Sequence, residues 1–247
     1  MNGIIFDIKE MAVHDGDGVR LTVFMKGCPL HCEWCHNPEG LNLFPELTYK
    51  KKKCIKCGMC FIKCDHEECK PFGRCVKVCP VNALAVCGKS FTPKELAAVI
   101  NGHKRILRLT GGGVTFSGGE PLMQWEFIKA VIALTPDINT AVETCGYVDK
   151  RTFSEAMNIL DEIIMDIKLF DENEHIKYTG VSNKTIKENF LILKNSGKPF
   201  VIRTPLIAGK TDTKENLERI KEFIGQTKWE LLPENKFSKA KYDMLLR

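Results

Sequence analysis

The sequence contains no long apolar run, since none of its hydrophobic stretches approaches the roughly 20 residues that a transmembrane helix requires. The N-terminal segment MNGIIFDIKEMAVHDGD carries acidic side chains and lacks the apolar core of a secretory signal. A strong excess of one charge is also missing, because the net charge is only +5. These absences predict a cytoplasmic protein that binds neither membranes nor nucleic acid.

The main run of like charge consists of four consecutive lysines at residues 50–53. One interpretation is an ordinary solvated surface. The other is a docking patch for an acidic electron donor, because complementary charges steer the encounter of two proteins. The sequence leaves both interpretations open.

Cysteine is the residue type that the sequence has in excess. Ten of the twelve cysteines fall within residues 28–79, and the other two are Cys87 and Cys145. In a reducing compartment such clustering indicates metal binding or catalysis, not disulfides. We interpret the two outlying cysteines as packing residues.

Short apolar, β-branched runs predict six strands, at residues 21–26, 114–117, 140–143, 163–166, 200–205 and 229–232. Helical periodicity lies between them, with a cap at Thr92 and stops at Gly197 and Gly225. Strands that alternate with helices indicate a parallel sheet, and six are too few for the eight-stranded barrel. The predicted fold class is therefore α/β, a partial (β/α)6 barrel with a small cysteine-rich insert. A flat, doubly wound sheet is the alternative.

This organisation predicts three segments. Residues 1–48 form the first part of the barrel, residues 49–87 form the insert, and residues 88–247 complete the barrel. Polar, glycine-rich or cysteine-rich residues follow every predicted strand. Because the active sites of βα folds lie at the carboxyl ends of the strands, we expect these segments to converge on one site.

The first of these segments, GCPLHCEWCHNPEG, contains Cys28, Cys32 and Cys35 in the spacing C-x3-C-x2-C. Three thiolates can hold three irons of a 4Fe–4S cluster and leave the fourth iron open to a substrate or cofactor. A zinc site that His31 or His36 completes is the alternative.

Two longer motifs, HDGDGVRLTVFMKGCPLHCEWCHNPEG and TGGGVTFSGGEPLMQ, resemble those of the glycyl radical enzyme activating enzymes, such as pyruvate formate-lyase activating enzyme, within the radical S-adenosylmethionine (SAM) superfamily. The segments ETCGY, MDIKLFD, IRTPLIAG and ELLPENKFSKAKYDML extend this resemblance over nearly the whole chain. It implies a radical SAM barrel whose open iron chelates SAM. Reductive cleavage of SAM would give a 5′-deoxyadenosyl radical, which takes a hydrogen atom from a glycine of a partner enzyme.

The resemblance also implies roles for individual residues. Cys28, Cys32 and Cys35 are the catalytic cluster ligands. The implied SAM pocket comprises Trp34, His36, Gly118, Gly119, Glu120, Glu143, Thr144, Asp166, Lys168, Arg203 and Asn235. In it, Trp34 lies near the adenine, Glu120 accepts the ammonium group and Lys168 suits the carboxylate. The pocket carboxylates help to hold a monovalent cation.

Arg203 has two interpretations, since it either contributes to the SAM pocket or pairs with a carboxylate inside the barrel. The sequence also departs from the family pattern at two positions. Asp17 stands where relatives usually have proline, and Asn235 stands where they tend to have histidine. Asparagine can donate and accept hydrogen bonds but cannot take a charge, so its role is weaker than that of histidine.

The insert begins with the spacing C-x2-C-x2-C-x3-C, the bacterial ferredoxin run, and ends with Cys79 before a proline. The fourth cysteine of such a run ligates the other cluster. One auxiliary 4Fe–4S cluster is therefore predicted at Cys54, Cys57, Cys60 and Cys79. A second is predicted at Cys64, Cys69 and Cys75, with His66 as its fourth ligand and Cys87 as the alternative. A single auxiliary cluster with three spare thiols is also open.

An insert of this ferredoxin-like kind predicts either electron relay to the SAM cluster or support of partner docking. The implied partners are a glycyl radical enzyme and a low-potential electron donor such as flavodoxin or ferredoxin. Two other functions compete with activation of a protein. One is a radical SAM enzyme that acts on a small molecule or nucleotide. The other is a plain ferredoxin-like carrier, which does not need the loop at Cys28 or the segment SGGEP.

Overall fold

A computed structural model describes residues 1–234 and 238–245, so the predicted SAM contact of Asn235 lies outside the described residues. The strands are β1 (Gly3–Ala12), β2 (Arg20–Met25), β3 (Glu46–Tyr49), β4 (Leu84–Cys87), β5 (Lys89–Phe91), β6 (Gly113–Gly118), β7 (Asn139–Thr144), β8 (Glu162–Asp166), β9 (Phe200–Leu206) and β10 (Trp229–Pro233). The α-helices are α1 (Pro93–Leu109), α2 (Trp125–Ala133), α3 (Lys150–Ile159), α4 (Glu172–Thr179), α5 (Lys184–Lys194), α6 (Lys214–Ile224) and α7 (Ser238–Tyr242). No helix in these two ranges is long and apolar enough to cross a membrane.

The main sheet has eight strands in the order β10-β9-β8-β7-β6-β2-β1-β5. Six of its strands are parallel, and each pairs with the next in the order β2, β6, β7, β8, β9 and β10. These six are the predicted ones, and the sheet is not closed, so the open radical SAM-type α/β fold is confirmed. Two further strands extend the sheet beyond β2. Strand β1 pairs antiparallel with β2, and β5 pairs antiparallel with β1. The sequence does not predict them, because charged residues interrupt the apolar pattern of GIIFDIKEMA and because β5 is only three residues long.

Helices α1 and α6 begin or end at the predicted signals, whereas α5 ends at Lys194, before the predicted stop at Gly197. Thr92 forms a capping box with Glu95, in which each side chain accepts a hydrogen bond from the other residue's backbone N–H. Thr213 caps α6, and Gly225 ends it with a φ of 68°. The core between helices and sheet contains fully buried phenylalanines such as Phe116, Phe127, Phe153 and Phe190. Burial of each contributes roughly 1.5–3 kcal/mol.

The insert joins the barrel through a small two-stranded sheet. Strands β3 and β4 pair antiparallel, with Glu46 opposite Cys87. Between them, the chain forms short 3-10 helices at Lys51–Lys53, Met59–Phe61 and Lys70–Phe72. The predicted boundaries at residues 49 and 87 are the ends of these strands, and the division into three segments stays a prediction.

A buried ion pair connects the end of β2 to this small sheet. Lys26 is fully buried, and its Nζ donates to Glu46 Oε2 at 3.0 Å. The same Nζ donates to the backbone oxygen of Glu39 at 2.5 Å. Lys26 directly precedes the cysteine loop, and Glu46 begins β3. This pair therefore connects the start of the cysteine loop to the base of the insert.

Candidate active site

The cysteine loop leaves the carboxyl end of β2 and lines a cavity of about 170 Å³. The thiols of Cys28, Cys32 and Cys35 all line this cavity. Backbone hydrogen bonds hold the loop, from Cys28 N to Leu41 O at 3.1 Å and from His31 N to Thr179 O at 2.8 Å. The structure therefore brings together the three thiols that the spacing predicts.

Burial makes two of these three thiols hard to ionise in the absence of a metal. It raises the pKa of Cys32 to about 12 and that of Cys35 to about 11. The pKa of Cys28 is lowered instead, because the Cys145 thiol donates a hydrogen bond to its sulfur. Three thiolates in such a place need a bound cation to compensate their charge. An iron–sulfur cluster meets this requirement.

The glycines after β6 bring their backbone against the cysteine loop. A Cβ on Gly119 would lie 2.2 Å from the carbonyl oxygen of Gly27 and 2.5 Å from that of Gly40. Gly118 has a φ of 111°, which a residue with a side chain rarely adopts. Both glycines line the cavity. Glycine is thus required at these positions, because a side chain would prevent the contact between the segment after β6 and the cysteine loop.

Glu120 is fully buried and connects the ends of β6 and β7. Its carboxylate accepts hydrogen bonds from Thr144 Oγ1 and Cys145 N, both at 2.8 Å, and from Leu122 N at 3.0 Å. Burial raises its pKa in spite of these hydrogen bonds. All of these bonds go to protein groups, and Glu120 supports cavity-lining residues. Its contact with the SAM ammonium group stays a prediction.

Asp166 and Lys168 lie at the end of β8, and both line the cavity. Lys168 Nζ donates to Asp166 Oδ2 at 2.6 Å. Burial by itself lowers the pKa of Lys168, but the Asp166 carboxylate and the nearby Cys32 and Cys145 thiols outweigh this effect and raise it. Lys168 therefore brings a fixed positive charge to the cavity wall.

Arg203 lies on β9 and is not among the described residues that line this cavity. Its NH1 donates to Glu143 Oε1 and its Nε to Glu230 Oε2, both at 3.0 Å. The contacts agree with the second interpretation of Arg203, as a partner of carboxylates. Glu143 also accepts from Ser117 Oγ at 2.5 Å. Its pKa is raised by burial and by the charge of Asp166.

Trp34 gives a direct test of whether the cavity fits a ligand. The side chain is buried, it lines the cavity, and its Nε1–H has no hydrogen-bond partner in the part of the chain that the structure describes. Such an unsatisfied buried donor costs about 1–3 kcal/mol. The cavity thus combines three thiols, a cation, carboxylates, an aromatic ring and a free donor. This set fits a cluster together with SAM, which is zwitterionic and carries an adenine.

His36 and Cys145 also line the cavity. His36 lines the cavity as predicted, and burial lowers its pKa. Cys145, which we interpreted as a packing residue, also lines the cavity and donates to Cys28. Its place directly after β7 is the signal that could have found it, because the ends of parallel strands form the site.

In the insert, the Cys64, His66, Cys69 and Cys75 ligand atoms lie within 4.8 Å of one another. Of the other predicted set, Cys54, Cys60 and Cys79 lie near Tyr49. The Tyr49 hydroxyl donates to Cys54, and this hydrogen bond, together with the Cys60 and Cys79 sulfurs, raises the pKa of Tyr49. Cys87 lies on β4 and is half-buried. Roles for all of these side chains as cluster ligands stay predictions.

Comparison with known proteins agrees with this geometry. Residues 22–224 match the family model described as "Radical SAM superfamily". The 4-hydroxyphenylacetate decarboxylase activating enzyme of Clostridioides difficile (strain 630) is 36% identical over 99% of this chain and 86% of its own. The trans-4-hydroxy-L-proline dehydratase activating enzyme of Clostridioides difficile is 35% identical over 100% of this chain and 89% of its own.

Among solved structures, "Native anSMEcpe with bound AdoMet" superposes with a TM-score of 0.51 at 14% identity. The superposition covers 85% of this chain and 49% of that protein, and at this identity it supports the fold alone. Fold, cavity and relatives together define an enzyme that uses radical SAM chemistry. The chain belongs to the radical SAM superfamily and, within it, to the glycyl radical enzyme activating enzymes.

Proposed function

We propose that this enzyme reductively cleaves SAM and uses the resulting radical to install a glycyl radical on a partner enzyme. The observation that carries the proposal is the shared cavity of Cys28, Cys32 and Cys35 with Trp34 and Lys168. When bound, the 4Fe–4S cluster and SAM supply a low-potential electron and a cleavable carbon–sulfur bond. The chain's own residues bind, orient and enclose these groups.

Each wall of the cavity would serve a different part of SAM. The Lys168 ammonium group would bind the carboxylate, and Glu120, directly after Gly118 and Gly119, would accept the SAM ammonium group. Trp34 would stack near the adenine, and its unpaired Nε1–H would gain an acceptor. Because the walls are largely buried, they also exclude water from a reactive intermediate.

A monovalent cation would fit between the two carboxylates of the cavity. Glu143 and Asp166 line the same cavity, and the charge of Asp166 raises the pKa of Glu143. A cation beside SAM would relieve this repulsion. We include it among the proposed cofactors.

Lys168→Met is expected to weaken SAM binding by about 10–100-fold. A hydrogen bond to a charged group contributes about 1.5–3 kcal/mol, and each 1.4 kcal/mol corresponds to about tenfold in Kd. Equilibrium binding of SAM to the reconstituted protein, under anaerobic conditions, measures this loss. The matched control is Lys187→Met, since Lys187 Nζ donates to the backbone oxygen of Phe170 away from the cavity. Equal affinities of the two variants would contradict the assignment of Lys168.

The auxiliary clusters would relay electrons from an external donor to the SAM cluster. Lysines 50–53 precede the first insert cysteine, and all four are at or near the surface. Their charge suits an acidic, low-potential donor such as flavodoxin or ferredoxin. All twelve cysteines are free of disulfides, which fits a reducing, cytoplasmic environment.

The partner enzyme is expected to acquire a persistent glycine-centred radical. The two named relatives activate a decarboxylase and a dehydratase, so relatives at similar identity serve partners of different chemistry. We therefore propose a glycyl radical enzyme without assigning its reaction. Anaerobic mixing with a glycyl radical enzyme encoded beside this gene, SAM and reductant should give a paramagnetic doublet on that enzyme. Radical-derived products on a small molecule alone would favour the competing small-molecule function.

A further inference from the structure

Lys210 contacts the cysteine loop beside Trp34, although it lies far along the chain between β9 and α6. Its Nζ donates to a carboxylate oxygen of Glu33, the residue that directly precedes Trp34. The same Nζ lies 4.8 Å from the ring centroid of Tyr178, on α4, and 6.0 Å from that of Trp34. We name Glu33, Tyr178 and Lys210 the Lys210 bridge.

The backbone on both sides of this bridge is held by hydrogen bonds. In the cysteine loop, Glu33 N donates to Tyr178 O at 3.1 Å. After β9, Lys210 N donates to Ile207 O at 3.0 Å, and Ile207 N donates to Thr211 Oγ1 at 2.7 Å. Because these bonds already order both segments, the contacts of Lys210 do not bear the entropy cost of ordering a loop.

The Trp34 ring is packed on the side of this bridge. It lies 6.1 Å from the Tyr178 ring, between centroids, with the two planes 51° apart. It also belongs to a buried cluster that includes Ile207, directly after β9. The position of the Trp34 ring in the cavity wall therefore depends on the residues of the Lys210 bridge.

We propose that Lys210 is a positioning residue for SAM. By holding Glu33 and Tyr178, it fixes the Trp34 ring at the place where the adenine would stack. Lys210 is not among the described residues that line the cavity, so it acts through these neighbours and not by touching SAM. This inference rests on the proposed function, because it takes Trp34 to face the adenine.

An ordinary surface ion pair is the alternative interpretation. The Glu33 and Lys210 side chains are 51% and 29% exposed, and exposed pairs contribute little by themselves. The contact of the same ammonium group with the Tyr178 ring distinguishes this pair, because a cation–π interaction adds to the ion pair and connects the cysteine loop to α4. An ordinary surface pair would affect neither SAM binding nor the order of the cysteine loop.

Lys210→Met removes the charge of the side chain and keeps most of its length. In the anaerobically reconstituted protein it should raise the Kd for SAM by about 3–10-fold. The change should appear in KM for SAM more than in kcat, because the adenine is remote from the bond that is cleaved. Methionine, which carries the amino and carboxylate groups of SAM but no adenine, should bind the unaltered protein and Lys210→Met equally.

Two further variants test whether the effect passes through the Lys210 bridge. Glu33→Gln should weaken SAM binding by a similar factor, and the double variant with Lys210→Met should weaken it no further, because the two side chains act as one pair. Lys210→Arg should restore the affinity to within about twofold, because a guanidinium group both pairs with carboxylates and stacks on aromatic rings.

Hydrogen exchange measures the order of the loop without any reaction of SAM. The Glu33 N–H, which donates to Tyr178, should exchange about 3–10-fold faster in Lys210→Met than in the unaltered protein. The matched control is Lys177→Met, since Lys177 Nζ also lies over the Tyr178 ring, at 4.5 Å, but pairs with Glu174 on its own helix. This control should change neither the exchange nor the Kd.

The outcomes separate this inference from the proposed function. If the unaltered protein binds SAM and Lys210→Met binds it equally well, Lys210 is not a positioning residue, even where its loop exchanges faster. An equal loss in Lys177→Met would place the effect in the packing of Tyr178 and overturn the link through Glu33. Failure of the unaltered protein to bind SAM would contradict the proposed function, and this inference with it.

Discussion

Replacement of any one of Cys28, Cys32 and Cys35 by alanine should reduce the formation of 5′-deoxyadenosine to the background of protein without iron. All three thiols line the one cavity, so the loss of any one would leave an iron of the cluster without its protein ligand. Two thiolates cannot hold the cluster with a single open iron. Product analysis after anaerobic reconstitution, with SAM and a chemical reductant, measures the loss.

Cys87→Ala is the matched control for these variants. Cys87 is also a half-buried cysteine, but it lies on β4 at the base of the insert and does not line the cavity. It should retain cleavage close to that of the unaltered protein. Appreciable 5′-deoxyadenosine from any of the three loop variants would contradict the assignment of the cysteine loop.

The six parallel strands could be predicted because each contains a short apolar run, and in β6, β8 and β9 this run is largely buried. Along β6, for example, Val114 and Phe116 are fully buried, and so is Thr115 between them. Strand β1 could not be predicted in this way. Most of its side chains after Ile5 are exposed or half-buried. Charged residues are therefore tolerated there, and the strand lacks the apolar run that predicts the other strands. Its place is fixed by pairing with β2 and β5, which sequence periodicity does not report.

In the candidate site too, some features could be predicted from the sequence and others could not. Residues directly after a strand could be predicted from the rule that strand ends converge, and Asp166 and Lys168 are found on the cavity wall. The partners of Glu120 and Arg203 could not be predicted, because they come from distant parts of the chain. Glu120 accepts from Thr144 across 24 positions, and Arg203 donates to Glu143 across 60. Such pairs depend on the register of neighbouring strands.

Buried charge is concentrated where the cysteine loop begins. Lys26 has no exposed side-chain surface and Glu46 only 7%, and their ion pair joins the end of β2 to the base of the insert. Removal of one partner breaks a buried ion pair, which typically costs about 3–5 kcal/mol. We therefore expect a large effect on stability from a single substitution at this pair.

Lys26→Met should lower the free energy of unfolding by about 3–5 kcal/mol, and Glu46→Leu should do the same. The double variant should cost less than the sum of the two, by about 1 kcal/mol or more, because neither charge is then left alone. Urea unfolding of the reconstituted protein under anaerobic conditions measures these differences. The surface pair Lys129–Glu126 has side chains 35% and 58% exposed, and Glu126→Ala should cost less than about 1 kcal/mol. If Lys26→Met costs no more than this control, the ion pair does not fix the cysteine loop to the insert. A strictly additive double variant would show that Lys26 acts through the backbone oxygen of Glu39 instead of through Glu46.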